Sequence, residues 1–368
     1  MVGDYRFKKD CAELLQEEMS KGHLSRRDFL RASAALGLTI SAVGAGLGGV
    51  HAETETITLC NYGGPAVDAM KASLVEPFKA DTGIDVAFDT SGPIVGRLKK
   101  MVDDGATIWD VIDGGPFYGY QLGDRYLEAI DYSVVDKSKI FDWAQNDYAA
   151  GSYVYSNVLA YDSAKLKRAP TGWADFFDTE KFPGKRALYK WFDGAPESCL
   201  LGLGKSKDQL YPMDWDVITK AIDKLGDNLV LWDSGSVSMQ LFLDEEIVMG
   251  NIWNTRARVL ERDTKGRVKW IWNQQIVAPA SWCIPKGSKH VAATQKFIAS
   301  AQAPDRQIKL LEALGNGPAN PQALATLNDD QKRVNPTSHL DVGVVEDMKW
   351  YADNYDEAVD KWTNATTR

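Results

Sequence analysis

The sequence predicts an α/β fold in two lobes, each a mostly parallel sheet flanked by helices. Three observations predict it. Residues 57–113 alternate strand, helix, strand, helix, strand at a spacing that demands parallel pairing. A second alternating block begins near Thr171. Two strand-like stretches, residues 153–161 and 270–284, enter that block from either side, so the chain crosses between lobes twice and forms a hinge.

The elements follow in order. Ile57, Thr58 and Leu59 form a β-branched and apolar run, ended by the turn signal Asn61-Tyr62-Gly63-Gly64. Residues 67–82 place Val67, Met70, Leu74, Val75 and Phe78 at helical spacing, and Gly83 stops the helix. Residues 84–88 alternate as a second strand, a helix follows through Val95, Leu98, Met101 and Val102, and residues 110–113 form a third strand running into Gly114-Gly115-Pro116. Sheets of this kind bind ligands beyond the carboxyl ends of their strands, which puts residues 60–64 and 114–118 at one rim. Asp110 and Asp113 offer a carboxylate pair to a hydrolase, but here they are read as caps of the turn at the strand end. In the second block, residues 186–189, 229–232 and 247–253 read as strands, separated by helices around 199–203 and 215–225. From Ala292 onward the pattern is helical, at 294–301, 305–314 and 344–362.

Composition narrows the function. The chain has 368 residues, enough for two domains, and 44% are hydrophobic, so a sizeable core forms. Its net charge of −9 excludes a polyanionic partner such as nucleic acid. Twelve Trp, fourteen Tyr and twelve Phe suit either cores or an aromatic-lined ligand site. No CxxC or HExxH spacing occurs, so neither a metal nor a cofactor is expected. His290 lies in a polar turn and His339 in a polar loop, and both read as surface residues rather than catalysts.

The start of the chain reads as an address. Ser25-Arg26-Arg27-Asp28-Phe29-Leu30-Arg31 precedes an uncharged stretch, residues 32–50, that is too rich in Gly for a membrane span. Val50-His51-Ala52 then forms a small-residue cleavage site before Glu53. The paired arginines resemble a twin-arginine export signal, which makes the twin-arginine translocase a partner and the periplasm the destination. No Cys follows the cleavage site to carry a lipid anchor. The mature chain is then about 316 residues, with Cys60, Cys199 and Cys283 allowing at most one disulfide.

Three segments carry a family resemblance. Glu76-Pro77-Phe78-Lys79-Ala80-Asp81-Thr82-Gly83-Ile84-Asp85-Val86 is similar to a first helix and second strand. Thr171-Gly172-Trp173-Ala174-Asp175-Phe176-Phe177 with Lys181-Phe182-Pro183-Gly184-Lys185-Arg186 resembles a stretch that follows a first hinge crossing. Met249-Gly250-Asn251-Ile252-Trp253-Asn254 resembles a late strand presenting a Trp to ligand. In order and spacing these resemble the periplasmic solute-binding proteins of ABC importers, the spermidine/putrescine-binding branch in particular. The resemblance implies a type II periplasmic-binding-protein fold with the ligand cleft between lobes and no catalytic chemistry. It also implies a monomeric receptor that delivers a small-molecule solute to an ABC permease in the inner membrane. The implied domains are a leader over 1–52, an N-terminal lobe of 53–158 plus 278–320, a C-terminal lobe of 159–277, and C-terminal helices over 321–368.

Carried onto this chain, the family's ligand-facing places fall on Asn61 and Tyr62, on Pro116 and Phe117, on the turn holding Trp191, Asp193 and Glu197, on Trp253 with Asn254, and on the stretch before Trp282. Tyr153, Tyr155, Ser234 and Arg256 complete the candidate set, and either Arg256 or Arg258 faces the cleft. The implied cargo is a polyamine or putrescine-like amine, whose ammonium groups need carboxylates and whose chain packs on aromatic rings. Yet the first loop has no acid, residues 277–280 read Val-Ala-Pro-Ala where polyamine binders carry an Asp, and only Asp193 and Glu197 remain as ammonium partners. An amino-acid-like or small carboxylate ligand, for example a γ-amino acid, is therefore the alternative. A secreted hydrolase using Asp110, Asp193 and Glu197 ranks below both, and a sensor role would share the fold.

Overall fold

The computed structural model describes residues 55–115 and 117–367. The expected leader lies outside the described residues, as does Pro116. Eight strands carry the architecture: β1 (Thr56–Cys60), β2 (Asp85–Asp89), β3 (Val111–Gly114), β4 (Ala149–Asp162), β5 (Arg186–Tyr189), β6 (Leu229–Trp232), β7 (Met249–Trp253) and β8 (Val268–Pro285). They follow one hydrogen-bonded path in the order β2-β1-β3-β8-β4-β7-β5-β6. At each end three strands run parallel or nearly so, β2-β1-β3 and β7-β5-β6, as alternation with helices requires. Between them β4 and β8 run antiparallel to one another and continue from one end of the path into the other. The fold is thus a two-lobed α/β arrangement in a mixed sheet.

Local sequence explains where elements begin and end. The first predicted helix is interrupted: α1 (Pro65–Met70) passes through one π-turn, Lys71–Val75, into α2 (Glu76–Thr82). Pro77 is the cause, because it has no N–H for the Ser73 carbonyl and its ring crowds that carbonyl, so the backbone widens by a residue. Gly83 ends α2 at φ 75, a conformation costly for any residue with a Cβ. The helices α3 (Val95–Asp103) and α4 (Tyr118–Tyr126) flank β3. Further along come α5 (Ala195–Gly202), α6 (Trp215–Leu225), α7 (Gly235–Leu243), α8 (Asn254–Asp263), α9 (Val291–Ala301) and α10 (Pro304–Leu314). Asp214 and Ser234 cap α6 and α7 by accepting from Val217 and Val237 N–H. The last predicted helix starts late. Val344–Val345 instead pairs parallel with Ile276 and Val277 of β8, and α11 (Met348–Thr366) begins only after Asp347 caps it.

The long strands are held by their irregularities. Between Ile271 and Ile276 the β4–β8 register slips, and Gln274 takes φ 61. The bulge turns Gln274 outward, where its Oε1 accepts from Trp173 N–H and its carbonyl from the Trp173 indole. Trp173 is then fixed against the core of the second lobe.

Three thiols lie in this framework, all buried and all free. Cys60 and Cys283 both pair with Ile112 of β3, from opposite sides. Two strand spacings separate them, roughly 10 Å, which is too far for a disulfide. His290 and His339 are surface residues: one pairs with Glu55 at 3.4 Å and the other stacks on Trp272 at 4.7 Å.

Arg186 is fully buried at the start of β5. Its guanidinium donates to the carbonyls of Phe176 at 2.9 Å and Asp178 at 3.2 Å, and also to those of Phe182 and Gly184. One side chain thereby closes the loop between Phe176 and Arg186. Arg186→Met keeps the volume but strands those carbonyls, so it is expected to lower unfolding free energy by about 3 kcal/mol, read from urea denaturation followed by circular dichroism.

Candidate functional site

Strand ends from both lobes converge between them. On the first lobe, Asn61 follows β1 and Asp113 lies in β3. Asp113 is buried, and its Oδ2 accepts from Asn61 Nδ2 at 2.9 Å and from the Tyr153 hydroxyl at 3.0 Å. Its Oδ1 has no partner. Burial pushes the Asp113 carboxyl up to about 7, against the two hydrogen bonds that favour its charged form. Asn61 Oδ1 in turn holds the Gly63 N–H at 2.7 Å, which shapes the glycine turn. Tyr62, at the tip of that turn, is 62% exposed, yet its hydroxyl end sits among Tyr118, Asp113 and Tyr189 of the opposite lobe.

On the second lobe and the hinge, three carboxyls gather. Asp193 ends the turn after β5 and accepts from the Tyr155 hydroxyl at 2.9 Å. Glu346, 3% exposed, lies beside Asp193, and neither of its carboxyl oxygens has a hydrogen-bond partner. Its backbone N–H donates to Val277 O at 2.9 Å, so residues 277–280, which carry no acid, acquire one from the neighbouring chain segment. Glu197, in the first turn of α5, accepts from the hydroxyls of Tyr211 at 2.5 Å and Tyr351 at 2.7 Å. Burial raises all three carboxyls, and Glu197 reaches about 7. Among the described residues no lysine, arginine or histidine forms an ion pair with any of them.

A candidate cation stands apart from these carboxyls. Trp253 closes β7, standing edge-on to Trp232 at 5.2 Å and Tyr189 at 5.5 Å with its indole N–H unpartnered. Arg256, on the first turn of α8, lies 5.7 Å over the Trp253 ring and close enough to Tyr153 to interact with it electrostatically. Gly235 makes room for it, since a Cβ there would fall 2.4 Å from Arg256 Nε. Its single polar contact is Thr255 Oγ1 at 3.2 Å, and among the described residues it has no carboxylate partner. Arg258 points away, donating to Leu311 O at 2.8 Å.

The other sequence candidates divide by role. Asn254 is structural, accepting from Ser156 N–H at 3.0 Å and donating to Gly315 O at 2.8 Å. Phe117 packs on Tyr355 of α11 at 4.5 Å. Trp191 is half exposed beside Lys190, and Ser234 caps α7. Trp282 is wholly buried on Phe297 at 5.6 Å in the first-lobe core. Strand alternation explains this, because Ser281 points the other way and its hydroxyl donates to Gly115 O at 3.2 Å. Asp110 caps no turn: its carboxylate accepts from Thr58 N–H at 2.8 Å and Ser288 Oγ at 2.7 Å. Asp113, Glu346, Tyr189 and Asn157 lie among the candidate residues but are missing from the sequence candidates. For Asp113 a signal existed, an acid near the carboxyl end of an otherwise apolar strand. For Glu346 none did, because it comes to Asp193 from a segment far along the chain, after both blocks of alternating strands and helices.

Residues 73–337 match the model of the bacterial extracellular solute-binding protein family. A γ-aminobutyric acid-binding protein of Pseudomonas aeruginosa is 28% identical over 83% of this chain and 90% of its own length. A solved GABA receptor is 36% identical, with a TM-score of 0.80 over 85% of this chain and 98% of its own. A spermidine/putrescine ABC transporter substrate-binding protein of Streptococcus pneumoniae superposes with a TM-score of 0.67 over 85% and 99%, at 16% identity, a likeness of fold. Among the described residues no helix is long and apolar enough to cross a membrane.

The raised Asp113 carboxyl gives a stability prediction. An acid whose folded value lies above its unfolded value of 3.8 stabilises the fold fully below that value, and the contribution is lost as pH rises through about 7. Unliganded wild type is therefore expected to lose stability relative to Asp113→Asn as pH rises through that window, read by chemical denaturation at several pH values. Parallel pH profiles for the two proteins would rule this out.

Proposed function

We propose that this chain, which belongs to the bacterial extracellular solute-binding protein family, is the periplasmic receptor of an ABC importer for a zwitterionic γ-amino acid such as γ-aminobutyric acid. The observation that carries this reading is Arg256. A guanidinium held in the cleft by an aromatic ring and a glycine, with only a hydroxyl for company, is suited to a carboxylate brought by ligand. The carboxyls of Asp193 and Glu346 supply the opposite pole for an ammonium. Tyr62, Tyr153, Tyr189 and Trp253 wall the space between with rings suited to a methylene chain. A diamine or polyamine satisfies the acids but leaves Arg256 unpaired and sets like charge beside it. The relatives that bind γ-aminobutyric acid support the same choice. Ligand touching both lobes stabilises their closed arrangement, and the membrane permease reads that arrangement. Export through the leader places the receptor where such a permease collects cargo.

Isothermal titration calorimetry of the purified receptor tests this. γ-Aminobutyric acid is expected to bind and putrescine to give no heat. Arg256→Met is expected to weaken γ-aminobutyric acid binding at least about 100-fold while leaving the unliganded melting temperature nearly unchanged. Binding of putrescine alone, or unaltered affinity in the variant, would defeat the reading.

A further inference from the structure

Three carboxyls share the buried region where the hinge meets α11, and the groups facing them are all neutral or acidic. Tyr155 comes from β4, Tyr189 from β5, Glu197 from α5, Tyr211 from the segment before α6, and Tyr351 and Tyr355 from α11. Asp193 Oδ1, Glu197 Oε2 and both Glu346 oxygens have no hydrogen-bond donor. Asn157 adds an independent sign. It is fully buried, neither atom of its amide is partnered, and it packs so closely on Gly194, next to Asp193, that a Cβ there would fall 2.1 Å from its Nδ2. A native interior rarely leaves this many polar atoms unpaired. The deficit is almost wholly of donors, and an ammonium group brings three of them with a positive charge.

We propose that Glu346 is a positioning residue for the amine end of the ligand: in the unliganded receptor it shares one proton with Asp193, and an entering ammonium sends that proton to solvent. The proposal rests on the γ-amino acid reading above, in which Glu346 already stands at the ammonium pole, and adds to it a proton and the way Glu346 acts. The balance is simple. The pair begins with one proton and one negative charge, ends with none and two, and the ammonium restores the net charge of the region. No covalent bond changes. The physical reason is that two carboxylates in contact without a cation cannot both stay ionised, whereas the same two around an ammonium can. Glu346 acts through Asp193, since its backbone is fixed to β8 at Val277 and its side chain meets the Asp193 carboxyl.

The consequence is a sign. Binding that releases a proton strengthens as pH rises, by up to about tenfold per pH unit for one proton. Both carboxyls are raised from ordinary values of 3.8 and 4.5, so the dependence falls above the usual carboxylate range and ends once the free receptor has already lost the proton. Calorimetry with γ-aminobutyric acid, in buffers of differing ionisation heat between about pH 5 and about pH 8, reads affinity and released protons together. Wild type is expected to release up to one proton per ligand from this pair. Glu346→Gln keeps the shape, ends the sharing, and is expected to flatten the pH profile and lower the proton count. A wild-type affinity independent of pH, or superimposable profiles for wild type and Glu346→Gln, would overturn the proposal; a wild-type buffer series without proton release overturns it even if the variant does not fold, and the variant separates this pair from Asp113 and Glu197, whose carboxyls are also raised. Absence of γ-aminobutyric acid binding at every pH would instead remove the functional reading beneath it.

Discussion

The antiparallel pairing of β4 with β8 is the constraint from which the rest of this molecule is hung. These two strands belong to both lobes, and the short parallel strands attach to them at either end. Because successive side chains alternate in direction, Tyr153 and Tyr155 emerge on one face two residues apart. One hydroxyl reaches Asp113 in the first lobe and the other reaches Asp193 in the second. A single strand thus sets the spacing between one buried acid of each lobe. The bulge at Gln274 and the short strand Val344–Val345 fix β8 from outside, which keeps that spacing defined.

Electrostatics in the cleft follow a division of labour rather than a balance. Elsewhere in the fold, buried charge is matched locally, as when Arg186 is surrounded by carbonyls or Asp162 is paired with Arg267. In the cleft the one guanidinium and the carboxyls keep to separate places, each without its natural partner. Burying charge this way opposes folding. Proteins tolerate such local conflict where function requires it, and the partners missing here match those that the proposed zwitterionic ligand would bring.

Much of the fold was legible because its signals are local. Hydrophobic periodicity placed α6 and β5 to the residue, and glycines and proline marked most ends. The π-turn before Pro77 and the strand at Val344 were not legible. The first depends on one missing N–H within a good helical pattern, and the second on a pairing about seventy residues away in sequence. The site divides the same way. Aromatics at strand ends announced themselves, and Arg256 stood out beside Trp253. The acids misled: the stretch at 277–280 looked depleted, and only the folded chain reveals that Glu346 lies beside it. Asp113 was legible as a residue but not as a role, since a turn cap and a cleft carboxyl look alike until the Tyr153 hydroxyl is in place.

The three buried thiols have a practical side. Desolvation pushes Cys60 and Cys283 up to about 12 and raises Cys199 further, so at neutral pH none offers the thiolate that alkylating dyes attack. Among the described residues the folded protein is therefore already silent to maleimide chemistry. New cysteines at exposed positions such as Trp191 and Tyr120 would be the reactive sites among the described residues, and a dye pair there would report lobe movement in single molecules without first stripping the buried cysteines from the core.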